Sequence, residues 1–180
     1  MDYNKILLSV HEELKKEGID CAIHSLTDQP ATLLIYAGLD KEKRTQLIEI
    51  KVLADSMGKS SKSKDANYVG VQLNAFFPFN VEDDALVEVA QFLHFLNFQV
   101  EVPGFYLNYI DKTIVYRYVL LSESEHFPKK ILLSLIGIAM FFQDVFGQTL
   151  ENLATGKAIF VDLLEEIKEI LANVGGPERL

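Results

Sequence analysis

Hydrophobic periodicity along this chain shifts from helical to alternating and back. The pattern predicts an α+β protein in which an antiparallel sheet is packed against helices, in the order helix, strands, helix, β-hairpin, two C-terminal helices. Three observations carry the prediction. Amphipathic helical stripes stand at both ends and in the middle, alternating runs follow one another across short turns, and the strict strand-helix alternation of a doubly wound parallel sheet is missing. No internal repeat of solenoid period is present. The 180 residues suit a single domain over 1–180, and a hydrophobic content of 49% is enough to build its core.

The first helix rests on Tyr3, Ile6, Leu7, Val10 and Leu14, spaced by three and four, with Asp2 placed to cap it and Gly18 to stop it. Three strands follow, Cys21 to Leu26, Thr32 to Ala37 and Leu47 to Leu53, separated by Asp28-Gln29-Pro30 and by a charged turn through Asp40 and Arg44. They read as an antiparallel meander. Residues 56–67, rich in Ser and Lys and without periodicity, read as a mobile exposed loop.

Tyr68 to Phe76 alternates, with Val69, Val71, Leu73 and Ala75 on one side and Gly70, Gln72 and Asn74 on the other. This is a half-buried strand that Pro78 should end. Asn80 precedes the acidic Glu82, Asp83 and Asp84 at the positive end of a second helix, whose apolar stripe is Leu86, Val89, Leu93 and Leu96. Phe105 to Ile110 and Thr113 to Leu121 flank Asp111-Lys112 as a tight hairpin. Pro128 opens a third helix expected to reach about Gly147. After a polar break, residues 157–174 add a fourth, with Phe160, Leu163, Leu164, Ile167, Leu171 and Val174 on one face, ending at Gly175-Gly176-Pro177.

Charge and composition exclude several functions. A net charge of -9 repels phosphate backbones and anionic lipid, so nucleic acid is an improbable partner. The most apolar stretch, Ile131 to Phe142, is shorter than the roughly 20 apolar residues of a membrane-spanning helix, and reads as a buried or interface element with no membrane role. With one cysteine, Cys21, and no secretory signal pattern, the expected location is cytoplasmic.

Catalytic motifs are not found. Gly58-Lys59-Ser60 resembles the tail of a phosphate-binding loop, but Leu53 stands where its first glycine is required. His11, His24, His94 and His126 are scattered, and on one strand Cys21 and His24 would point to opposite faces, which gives no metal site and no cofactor site. Adjacent acidic residues at 82–84 fan outward on a helix, where helix-end stabilisation accounts for them better than paired acid-base chemistry. The chain is therefore read as non-enzymatic.

Aromatic residues remain. Phe92, Phe95 and Phe98 lie on the second helix, and Phe76, Phe77 and Phe79 shortly precede it. Tyr106, Tyr109, Tyr116 and Tyr118 decorate the hairpin. Most such rings fill cores, yet aromatics are also enriched at the centres of protein interfaces. The candidate partner-binding residues are Phe76, Phe77, Phe79, Tyr106, Tyr109, Tyr116 and Tyr118.

The order of elements over Asp2 to Gly147 resembles the type III secretion chaperone-like fold. The likeness is carried by the hairpin, above all Thr113-Ile114-Val115-Tyr116-Arg117-Tyr118, followed by Pro128 and the apolar helix. It extends to a related bacterial family of sensory-transduction regulators. The resemblance implies a small, acidic, cytosolic, homodimeric protein that binds a polypeptide client on apolar surface and has no catalytic residues. The alternative it leaves open is a regulatory or sensor domain that binds a small ligand or is controlled by phosphorylation. The Ser/Lys loop, an extra strand before the second helix and the fourth helix depart from a minimal chaperone of this kind.

Overall fold

The computed structural model describes residues 3–25, 31–53, 68–123 and 127–174. It is α+β, and its six antiparallel strands lie in the order β1-β2-β3-β4-β6-β5. The elements are α1 (Tyr3–Lys16), β1 (Cys21–His24), β2 (Thr32–Leu39), β3 (Thr45–Leu53), β4 (Tyr68–Asn80), α2 (Leu86–Gln99), β5 (Phe105–Asn108), β6 (Thr113–Glu123), α3 (Lys129–Ala154) and α4 (Phe160–Val174). They fall into two compact units, one of Met1–Pro78 with Val115–Gly147 and one of Phe79–Ile114 with Gln148–Leu180.

In the first unit, α1 buries Ile6, Leu7, Val10 and Leu14 as the spacing requires. Gly18 ends it with a positive φ of 75°, where Ile19 N–H bonds the Leu14 carbonyl at 2.9 Å and Gly18 N–H that of Lys15 at 3.1 Å. These two bonds satisfy carbonyls that the helix end leaves over, and glycine takes the left-handed conformation without steric cost. β1 to β3 then form the expected meander, and β4 pairs antiparallel with β3 to extend it. The turn between β2 and β3 is held by Asp40, whose carboxylate accepts from Arg44 N–H and Nε, both at 2.7 Å.

Alternation gives this sheet two chemically different faces. Leu33 and Ile35 of β2, Ile48 and Ile50 of β3, and Leu73 and Ala75 of β4 all point one way and are buried. Two helices cover that side. Cys21 Sγ reaches the His11 carbonyl of α1 at 4.0 Å, and Phe142 of α3 meets Tyr116 edge-on at 5.1 Å between ring centres. Leu132, Ile136 and Ala139 continue the inner face of α3. Asp2, Leu26 and the Asp28-Gln29-Pro30 turn lie outside the described residues, as do the Ser/Lys loop and the proposed end of α4 at Gly175.

Four expectations need correction. β4 does not stop at Pro78 but continues to Asn80. Its ladder with β3 ends at the Leu47–Phe76 pair, so the missing proline N–H interrupts no bond on that side. There Gln143 Nε2 of α3 donates to the Phe76 carbonyl at 2.8 Å. Asn80 belongs to the strand and does not lead directly into the second helix. A 3-10 turn over Asp83–Ala85 precedes α2 instead, with Glu82 at its N-cap making no side-chain capping hydrogen bond.

The hairpin turn spans 109–112, not two residues, because Asn108 Oδ1 accepts from Ile110 N–H at 3.0 Å and curls the chain early. α3 passes Gly147 and runs to Ala154, since Leu150, Leu153 and Ala154 are fully buried and reward its continuation. At 26 residues it is long and apolar enough to cross a membrane, so the shortness of its apolar run does not by itself exclude a span.

In the second unit Asn97 of α2 fixes the start of β5. Its Nδ2 donates to the Phe105 carbonyl at 2.8 Å while its Oδ1 accepts from Gly104 and Phe105 N–H at 2.9 and 2.8 Å. Glu88 of α2 accepts from Phe160 N–H at 2.7 Å, placing a carboxylate on the first turn of α4. Lys112 Nζ pairs with Asp83 Oδ1 at 2.7 Å.

Candidate functional site

The sheet of the first unit has a second face, and its chemistry follows from the odd positions of the same alternation. On β3, Ile48, Ile50 and Val52 point inward while Leu47, Glu49, Lys51 and Leu53 point out. The out-pointing set is polar except at its two ends. Across the ladder Leu47 pairs with Tyr36 of β2 and with Phe76 of β4, so three large apolar side chains form one row over three strands. They are 39%, 40% and 37% exposed. Water therefore meets a ridge where a half-buried sheet normally presents polar groups.

Two residues along, about 7 Å by strand geometry, the row becomes polar. Asn74 is its hub: Nδ2 donates to Glu49 Oε2 at 3.1 Å, and Oδ1 accepts from Gln72 Nε2 and Arg117 Nε, both at 3.0 Å. Lys51 Nζ completes the set against Glu49 at 2.8 Å. Side chains lie over Asn74 closely enough to bury it on a face that alternation predicted as solvated. At the far end Leu53 and Leu121 lie over Gly70, where an added Cβ would stand 3.3 and 3.6 Å from their side-chain carbons. That is why Gly70 and Asn74 are buried on the outward side of β4 while Phe76 is not.

The candidate aromatics divide sharply. Phe76 belongs to the ridge. Phe77 and Tyr116 are core residues, because they fall on the inward phase of β4 and β6, where Tyr116 packs against Phe142 of α3, so they offer no surface. Burial pushes the Tyr116 hydroxyl up to about 12. Tyr118 is half-buried in the same unit. In the second unit Tyr106 and Tyr109 are exposed on β5 and its turn, beside a fully projecting Ile110, and Phe79 is half-buried. Tyr36 and Leu47 were not singled out by sequence reasoning. Their signal was an apolar residue in the polar phase of a strand.

The second unit carries an open apolar groove of about 490 Å³ between α2 and α4, lined by Gln91, His94, Phe95, Phe98, Phe160, Val161 and Leu164. Phe95 and Phe160 meet there at 6.1 Å between ring centres. Chemically reactive groups do not gather at either place. Among the described residues no three His, Cys, Asp or Glu side chains converge on a metal position. Cys21 is buried on the helix-covered face while His24 is exposed, and burial raises the thiol further from its nucleophilic form. The partial phosphate-loop sequence 58–60 and His126 lie outside the described residues. No protein-family model and no curated protein matches this chain.

Proposed function

We propose that this chain is a non-enzymatic protein-binding module, dimeric, that holds a polypeptide on the open face of its sheet. The observation that carries the reading is the Tyr36–Leu47–Phe76 ridge, an apolar row on a face whose neighbouring row is a closed polar network. The surface is a sheet face, whereas small-molecule sites are clefts that surround their ligand. Its apolar and polar rows alternate at the spacing of side chains on an extended strand or an amphipathic helix. Aromatic and aliphatic anchors ringed by polar groups are the usual centre of a protein interface. The resemblance to secretion chaperones supports the same class, and the net charge of -9 disfavours anionic surfaces.

Affinity capture of the purified chain in lysate of its native cell, with mass spectrometry, tests this. One protein recovered in stoichiometric amount is the expected result. A sample that is monomeric at micromolar concentration and recovers no polypeptide contradicts it.

A second reading, a regulatory domain that binds a small ligand, draws on the α2–α4 groove, whose volume suits one. A screen of apolar metabolites by thermal shift tests it. A rise in melting temperature that Phe95→Ser abolishes favours it, and no stabilising compound argues against it.

A further inference from the structure

We infer that the outer face of α3 is a two-fold seam joining two copies of this chain, antiparallel, with the axis at Gly137. This rests on the dimeric part of the reading above and gives the dimer its surface. The exposed side of α3 carries Lys130, Ser134, Gly137, Phe141 and Asp144, alternating spacings of four and three, which is the seven-residue repeat of a helix-helix seam. Ile131 and Val145 flank the row and, with Phe141, are 53%, 49% and 58% exposed in the order Ile131, Val145, Phe141. Between Lys130 and Asp144 the helix has no charged residue.

Laid antiparallel about Gly137, the row complements itself. Lys130 faces Asp144 of the other copy at both ends, and the Phe141 ring faces the small Ser134. A parallel pairing would put lysine against lysine and aspartate against aspartate. Ser134 Oγ already donates to the Lys130 carbonyl at 3.0 Å, so its hydroxyl brings no unsatisfied donor into the seam. Gly137 supplies the independent observation. A Cβ there would meet nothing within 4 Å beyond the adjoining backbone of its own helix, so internal packing does not call for a residue that weakens a mid-helix position. Close approach by a second backbone does call for it.

The test is sedimentation of the full chain at micromolar concentration, with variants on this face. Wild type should be a dimer. Phe141→Glu should raise the dimer dissociation constant by on the order of tenfold or more while keeping the helical circular dichroism of the monomer, because Phe141 is exposed. Lys130→Asp and Asp144→Lys should each weaken the dimer, and the two together should restore it. Gly137→Cys should cross-link to itself. Ser134→Cys should not, unless mixed with Phe141→Cys.

A dimer insensitive to Phe141→Glu and to the charge exchange would overturn the seam and leave the dimeric reading standing. A monomeric wild type would overturn both. Flotation of a monomeric wild type with phosphatidylcholine vesicles, lost in Phe141→Glu, would also overturn the seam and assign the face to lipid.

Discussion

The two faces of the sheet in the first unit are built by the same strands and differ in every other respect. The inward face is apolar, with Leu33, Ile35, Ile48 and Ile50 at 0% exposure under α1 and α3. Its outward counterpart alternates an apolar row with a hydrogen-bonded polar row. What differs is the job of the apolar residue. Inside, each ring or branched chain contributes stability in proportion to the surface it removes from water. Outside, Tyr36, Leu47 and Phe76 remain partly in water, so folding alone gives a weak reason for their identity.

Substitutions on the two faces should separate these jobs. The largest loss is expected from Leu135→Asp on the inner side of α3, where an unpaired charge would enter the core at a cost on the order of 4 kcal/mol or more. Near-native melting would show that α3 is not the cover of that face. Ile48→Ala should cost about 2 to 5 kcal/mol in denaturant unfolding, because it empties a position with no exposure.

On the other face Asn74→Leu should cost about 1 to 3 kcal/mol, since it strips partners from Glu49, Gln72 and Arg117. A neutral result would mean that the polar row is merely a solvated surface. The alkaline limb offers a gentler probe of the inward face. Burial pushes the Tyr116 hydroxyl from its ordinary 10.0 up to about 12 in the folded state, so the unfolded state loses its proton first. Its contribution is intact below the lower value and disappears as pH rises through the upper. Tyr116→Phe should flatten that decline, measured as melting temperature against pH.

Much of this was legible in the sequence. Period-two runs located β2, β3, β4 and β6, and a stripe at spacings of three and four located α1, because each of these depends on burial of one face, which the pattern records directly. Boundaries set by side-chain hydrogen bonds were not legible. Asn108 shortens β5, and β4 can outlast Pro78 because the β3 ladder ends at Phe76. The candidate site was half visible. Phe76 stood out as an aromatic, but its row exists only through the register that sets Leu47 between it and Tyr36, a fact of strand pairing that no single strand contains. Phe77 and Tyr116 were drawn in by residue type alone, and one step of strand phase removes them to the core.

The most direct measurement compares a ridge variant with a groove variant for the same captured partner. Tyr36→Thr, Leu47→Thr and Phe76→Thr together keep strand-forming residues but give up the buried part of three large side chains, at a cost on the order of 1 kcal/mol each, so circular dichroism must first show the variant folded. They should also abolish binding in calorimetry, while Phe95→Ser in the second unit leaves binding unchanged. Equal affinity of the ridge variant and the wild type, with both folded, would contradict the assignment of the open face as the binding surface.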